Sequence, residues 1–171
     1  MGRAHLRADL ERHHAECVGW ALSCCAFDRS EADDVLQTTY LKVLDGRAVY
    51  GGRSSFKTWL FGVIRRTAAE HRRRRALREV LFGRSLDHDS AAHVEPDGAA
   101  RIAAAEETAG LISALRILPA RQRELLHLVF YEELTIEESA RVLRISLGTA
   151  RTHYERGKAR LRSLLGREGG R

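Results

Sequence analysis

The chain is short of the residues that break helices and of those that cross-link: its 171 residues include two prolines and three cysteines. An odd cysteine count without a CxxC pair argues against a disulfide framework and fits a reducing compartment. No apolar run approaches the roughly 20 residues that a spanning helix needs, and the opening MGRAHLRADLERHH lacks the apolar region of a signal peptide. No membrane insertion is expected. No nucleophile elbow, Walker loop, HExxH or paired-carboxylate pattern occurs, so neither catalysis nor a cofactor is expected. Acidic residues are also in the minority, 23 against 29 lysines and arginines, and the net charge of +6 favours a polyanionic partner or an anionic membrane surface.

What is present is helical periodicity, and the fold class expected is all-α. With 44% hydrophobic residues the chain can bury one modest core or two small helical ones. Leu6, Leu10, Cys17, Ala21 and Cys24 are spaced for a first amphipathic helix ending near Ala26. Ser30 can cap a second, with Val35, Leu36, Tyr40, Val43 and Leu44 as its apolar positions. The glycine-rich stretch DGRAVYGGRSS closes it with a loop. From Phe56 a long third helix carries Trp59, Leu60, Val63, Ile64 and Ala68 inward, and seven arginines with one glutamate follow between residues 65 and 78. Residues 83–110 then hold six acidic and two basic side chains with Pro96 and three glycines, which marks a domain boundary. Its end, from about Ala99, can already be helical. Leu111, Leu115, Leu118, Leu125, Leu126, Leu128 and Val129 describe two further helices broken around Pro119.

The last fifth reads as a helix-turn-helix. Thr135 and Glu138 have the form of a capping box, so a helix starts near Ile136 and turns Ala140 and Leu143 inward. Arg144 and Ile145 make the turn, and Ser146 can cap a second helix running to about Leu165, with Ala150, Tyr154 and Leu161 on its inner face. Arg151, Thr152, Glu155 and Arg156 fall mostly off that stripe, where they can meet base edges in a major groove. Lys158, Arg160 and Arg162 are better suited to phosphate. The same pattern also describes an ordinary amphipathic helix with a solvated, charged face.

These blocks resemble a known family. EADDVLQTTYLKV is similar to the core-binding helix in region two of a bacterial sigma factor, and SSFKTWLFGVIRRTAAEHRRRR resembles the helix that meets the promoter's minus-ten element. ILPARQRELLHLVFYEELTIEESARVLRISLGTARTHYERGKARLR is similar to region four, which reads the minus-thirty-five element. The order, spacing and presence of only these two regions match the extracytoplasmic-function (ECF) group of the sigma-70 family. The resemblance divides the chain into region two over residues 1–82, a flexible acidic linker over 83–107 and region four over 108–171.

It implies a promoter-recognition subunit, not an enzyme, that binds core RNA polymerase, helps melt DNA and initiates transcription of a specific regulon. Core contacts, to the polymerase β′ coiled coil, fall on Asp33, Asp34, Leu36, Gln37 and Tyr40, with the β flap as a further contact. Minus-ten contacts fall on Tyr50, Arg53, Ser54, Ser55, Lys57, Arg65, Arg66, Arg72 and Arg73. Minus-thirty-five contacts fall on Ser146, Thr149, Arg151, Thr152, His153, Glu155, Arg156 and Lys158. An anti-sigma factor is a further implied partner. The location implied is the cytoplasm, on the nucleoid when active or near the membrane when an anti-sigma factor holds it there.

Each role has a plainer counterpart. Asp33 and Asp34 also suit an acidic first turn that stabilises its own helix; Gly51 and Gly52 also suit a simple turn, and Ser55 a helix cap. Trp59 is placed in the core and Tyr50 where it can meet a base. Asp87, Asp89, Glu95 and Asp97 can mimic RNA in the polymerase channel or form a solvated tether. His13 and Cys17 have i, i+4 spacing for zinc or for redox sensing, but cysteines on an apolar stripe also serve as buried hydrophobes, and no second ligand pair is present; no metal site is assigned. Four positions depart from the family pattern: Arg144 where glycine is common, Gly157 where alanine is usual, Ser139 in place of an aliphatic residue and His153 in place of arginine. Other readings are a sigma mimic that sequesters an anti-sigma factor and a helix-turn-helix repressor. The mimic should have degraded DNA-facing residues, and the repressor leaves EADDVLQTTYLKV unexplained.

Overall fold

The computed structural model describes residues 3–82 and 99–168. Among them all regular structure is helical, in the order α1 (Arg3–Arg12), α2 (His14–Cys24), α3 (Arg29–Leu44), α4 (Phe56–Phe82), α5 (Ala99–Ile117), α6 (Ala120–Phe130), α7 (Ile136–Leu143) and α8 (Leu147–Glu168). The chain divides into two compact units, Met1–Asp89 and Ser90–Arg171. The linker carboxylates Asp87, Asp89, Glu95 and Asp97 lie outside the described residues.

In the first unit α2, α3 and α4 pack against one another, with α1 against α2 and α3. The expected first helix is two helices. His13, at φ −99° and ψ 10°, leaves the helical region and separates α1 from α2. At the other end α2 stops at Cys24 because Ala26 and Phe27 are left-handed (φ 53° and 62°), and the Phe27 N–H closes the turn onto the Leu22 carbonyl at 2.7 Å. Asp28, not Ser30, caps α3: its carboxylate accepts the Glu31 N–H at 2.9 Å.

Leu10, Cys17, Trp20, Ala21, Cys24, Val35, Leu36, Val43, Leu60, Phe61, Val63, Ile64 and Ala68 form the core. Trp20 is fully buried, stacks on Phe61 at 5.7 Å and donates its indole N–H to the Phe61 carbonyl at 3.0 Å. Trp59 was expected in this core but is half-buried. The inward stripe of α4 runs through Leu60, Phe61, Ile64 and Ala68, which leaves position 59 at its rim.

In the second unit α6 and α8 pack together, with α7 against both and α5 against α8. Pro119 separates α5 from α6, and its carbonyl accepts the Gln122 and Arg123 N–H groups at 2.9 and 3.1 Å. Leu118, Leu125, Leu126, Leu128, Ala140, Val142, Leu143 and Ala150 are buried, whereas Leu111 is exposed. The capping box at Thr135 and Glu138 is formed, with both reciprocal bonds present. Arg144 is left-handed (φ 52°, ψ 51°) and makes the sharp turn between α7 and α8. Ser146 caps α8, accepting the Thr149 N–H at 3.1 Å, and the helix continues beyond Leu165 to Glu168.

Gly157 has a packing reason. A Cβ there would sit 3.2 Å from the Gln122 Cβ and 3.3 Å from the Leu126 side chain, so glycine lets α8 approach α6 closely. Ser139, fully buried, leaves its hydroxyl without a hydrogen-bond partner.

Two stability predictions follow from the second unit. A left-handed non-glycine residue costs about 1–2 kcal/mol, and glycine forfeits about 0.5–1 kcal/mol in unfolded-state entropy. Arg144→Gly should therefore stabilise the unit by about 0.5–1 kcal/mol in urea unfolding. Ser139→Ala removes an unsatisfied buried hydroxyl and should raise stability by about 1 kcal/mol in the same assay; a loss of stability would show that the hydroxyl is satisfied in solution.

Candidate nucleic-acid interface

On α3 the acidic end faces outward: Asp33, Asp34 and Gln37 are exposed at the start of the helix. Leu36, expected to share that surface, is only 5% exposed and belongs to the core. Tyr40 is half-buried, with its hydroxyl 3.0 Å from His14 Nδ1. Burial, then the neighbouring Cys17, push the Tyr40 phenol up, so it stays neutral.

After α3 the loop turns on two left-handed glycines, Gly46 (φ 73°) and Gly52 (φ 71°), where other residues are disfavoured. Tyr50, expected to meet a base, is engaged within the loop. Its hydroxyl donates to the Ser54 carbonyl at 2.5 Å, and its ring packs edge-on against Phe56 at 5.5 Å and against Trp59 at 5.4 Å. Ser55 caps α4 by accepting the Thr58 N–H at 3.1 Å, and Ser54 Oγ donates to the Ser55 carbonyl at 3.2 Å. Arg53 is exposed at the tip.

Lys57 is turned into its own unit. Its ammonium is 2.8 Å from Glu16, which also pairs with His13 at 2.6 Å, and it lies 5.5 Å from the Phe61 ring centroid. His13 in turn stacks on Phe56 at 6.2 Å. This network links the α1–α2 junction to the loop across 41 residues, beyond the reach of any local sequence pattern. Further along α4, Lys42 pairs with Glu70 at 2.6 Å. Arg65 and Arg66 are half-buried. Arg72 donates to the Cys24 carbonyl at 2.7 Å and Arg73 to the Ala69 carbonyl at 3.3 Å, while both remain exposed. Cys17 and Cys24 are buried, and no group of three or more histidine, cysteine or acidic side chains among the described residues can hold a metal ion.

On α8, Ser146, Thr149, Arg151, Thr152, Glu155 and Arg156 are exposed. The Thr152 hydroxyl donates to the Gly148 carbonyl at 3.0 Å. Lys158 is half-buried, 3.1 Å from Glu155 and 4.4 Å from the Tyr154 ring centroid. His153 is half-buried with an enclosed, unpartnered Nδ1, so its ring is partly turned into the unit rather than held out like an arginine.

An acidic stripe, a capped loop on a basic helix and a turn-linked helix with an exposed polar face therefore occur in that order. The sequence matches the sigma-70 region 2 model over residues 10–78 and the sigma-70 region 4 model over residues 109–161. It is 31% identical to the ECF RNA polymerase sigma factor SigX of Bacillus subtilis, over 81% of this chain and 72% of that one. The chain belongs to the sigma-70 family, in its ECF group. It is 30% identical to the RNA polymerase sigma factor CarQ of Myxococcus xanthus, over 92% of this chain and 88% of that protein. Its fold is similar to that of the sigma factor RpoE in complex with the anti-sigma factor NepR from Bartonella quintana, at TM-score 0.72 and 22% identity over 94% of this chain and 96% of that one. Sigma factors are non-enzymatic transcription initiation factors, and this ECF sigma factor is one of them.

The ion pairs that brace this surface carry a pH signature. The Lys42 hydrogen bond holds the Glu70 carboxyl below its ordinary value of 4.5, against a smaller upward push from burial. A carboxyl depressed by folding contributes stability above its unfolded value and loses it as pH falls through the folded one. Glu70→Gln should therefore lower the melting temperature at neutral pH, and the gap to the wild type should close as pH drops below about 4.5. A gap independent of pH would mean that the pair contributes nothing.

Proposed function

We propose that this ECF sigma factor docks on core RNA polymerase through Asp33, Asp34 and Gln37 of α3, reads the minus-ten element with the loop before α4 and the basic face of that helix, and reads the minus-thirty-five element with α8. The observation that carries the reading is the outward, uncommitted presentation of Arg151 and Arg156 on a helix seated by a formed capping box and a serine cap. A guanidinium there can take the O6 and N7 acceptors of guanine, and Glu155 can accept from the cytosine amino group. Thr149 and Ser146, at the positive end of the helix, suit a phosphate oxygen.

In the first unit Arg53, Ser54 and the exposed arginines of α4 are the groups left to meet nucleic acid. Tyr50, Phe56 and Trp59 form the platform on which the loop rests, and Lys57 braces it through Glu16. Seven arginines over residues 65–78 repel one another, and a phosphate backbone relieves that repulsion while single-stranded bases are captured. On α3, carboxylates and an amide suit the donors of the polymerase β′ coiled coil, and the second unit engages the β flap. An anti-sigma factor regulates the protein by covering these surfaces. The site of action is the cytoplasm, on the nucleoid when active and near the membrane when such a factor holds it there.

Run-off transcription with purified bacterial core polymerase and promoters from the source genome tests the reading. Specific transcripts should require the protein. Asp33→Ala with Gln37→Ala should weaken core binding. Arg151→Ala or Arg156→Ala should leave core binding intact and cost about 1–3 kcal/mol per lost bidentate base contact in minus-thirty-five recognition. Failure to bind core polymerase under conditions where a control sigma factor binds would overturn it.

A further inference from the structure

Only three of the 29 basic side chains are lysines, and each stands within salt-bridge distance of a glutamate: Lys42 at 2.6 Å from Glu70, Lys57 at 2.8 Å from Glu16 and Lys158 at 3.1 Å from Glu155. A lysine ammonium is a compact point charge on a flexible stem, and it meets phosphate without regard to sequence. Of the three pairs, Lys158 and Glu155 are neighbours on α8, and Lys42 of α3 meets the middle of α4 at Glu70. Lys57 differs in its place: it stands in the first turn of α4, directly after the loop that carries Arg53 and Ser54.

Glu16 of α2 divides its two oxygens between partners. Oε1 accepts from the Lys57 ammonium, and Oε2 lies 2.6 Å from His13 Nδ1. Burial pushes the carboxyl up, but the hydrogen bonds from Lys57 and His13 outweigh it and hold it below its ordinary value of 4.5, so it is ionised at neutral pH. The Lys57 side chain is 21% exposed and that of Glu16 37%. An ion pair this exposed contributes little to stability. Its larger effect is on where positive charge stands: the ammonium is turned toward α2 and its charge is cancelled beside the loop, instead of being added to that of Arg53.

A brace that only shaped the loop would act on every strand the loop can hold. Cancelling a charge acts unevenly. A strand held by its bases has a fixed backbone path, whereas a strand of any other sequence can shift to place a phosphate on an extra ammonium. An uncancelled Lys57 would therefore strengthen binding mainly to the wrong sequences.

We propose that Glu16 is a positioning residue that sets specificity at the minus-ten surface: acting through Lys57, it withholds a sequence-blind phosphate contact from the strand that the loop captures. This rests on the reading of the loop and α4 as the minus-ten surface. In it α2, which meets no DNA itself, acquires a part in promoter choice.

The test is the affinity of core polymerase loaded with the full-length protein, at several salt concentrations, for two single-stranded oligonucleotides. One carries the minus-ten sequence of a promoter found by run-off transcription, the other the same bases scrambled. Glu16→Gln keeps the shape of the side chain and removes its charge. At about 0.1 M salt it should bind the scrambled strand about fivefold more tightly, and the slope of log affinity against log salt should steepen by about 0.7, the increment for one phosphate on a single strand. Affinity for the matched strand should change by less than about twofold, so discrimination falls. Adding Lys57→Met should return the scrambled strand to its wild-type affinity and slope. Glu11→Gln, the same charge change at an exposed site on α1, should leave both strands within about twofold of the wild type. If Glu16→Gln weakens both strands alike with the wild-type slope, the pair is a brace alone and the inference is overturned. It is overturned too if the double variant stays tight on the scrambled strand or if Glu11→Gln has the same effect as Glu16→Gln. If the wild-type holoenzyme does not tell the two strands apart, the minus-ten reading fails and the inference fails with it.

Discussion

The first unit depends on one side chain placed where two helices cross. Trp20 of α2 is buried completely, stacks on Phe61 of α4 and satisfies its indole N–H on the Phe61 carbonyl. A carbonyl oxygen has two lone pairs, so it can serve a buried indole besides its place in the helix. This joint seats the first turns of α4 against α2, and so it sets where Phe56, Lys57 and Trp59 stand. From there the aromatic cluster under Tyr50 and the Lys57–Glu16–His13 bridge give the loop its shape. A loop turning on two left-handed glycines would otherwise sample many conformations and, in its proposed role, lose entropy on binding.

The second unit solves the same problem with a smaller residue. In the proposed reading α8 presents side chains to DNA while remaining packed on α6, and the two demands are separated by helix face. Ala150 and Gly157 lie inward, with Gly157 admitting Gln122 and Leu126 at close range. Arg151, Glu155 and Arg156 lie outward. The left-handed Arg144 sets the angle at which α8 leaves α7, and its strain persists because the capping box on one side and the Ser146 cap on the other hold both helices.

The charges divide more finely than a net value of +6 conveys. Lys57 and Lys42 are spent on Glu16 and Glu70, and Arg123 donates to the Leu118 carbonyl inside the second unit. Arg72 ties α4 to the end of α2 while remaining exposed. The proposed nucleic-acid surface therefore draws on a subset of the basic residues. Positioning residues and contacting residues share one composition and cannot be told apart by type.

How far the chain could be read without its fold varies with the range of the interactions involved. Local signals were legible: the capping box, the Pro119 break, the serine caps of α4 and α8 and the turn at Arg144 all follow from residues within four positions of one another. So was membership of a two-region family, because two motif blocks stand in order. Phase at the edge of a helix face was not legible. Trp59 and Leu111 lie at rims where a stripe of 3.6-residue period admits either assignment, and Leu36 faces the core although it neighbours Gln37.

Partners distant in sequence were also hidden. Nothing near Lys57 announces Glu16, and nothing near Tyr40 announces His14. By itself the sequence determined the helical class, most of the helices and caps and the family, since backbone hydrogen bonding and periodic burial act over a few residues, although the break at His13 and the Asp28 cap of α3 escaped it. Only the tertiary structure decided which polar groups are consumed internally and which remain for partners, because that depends on which helices meet across tens of residues.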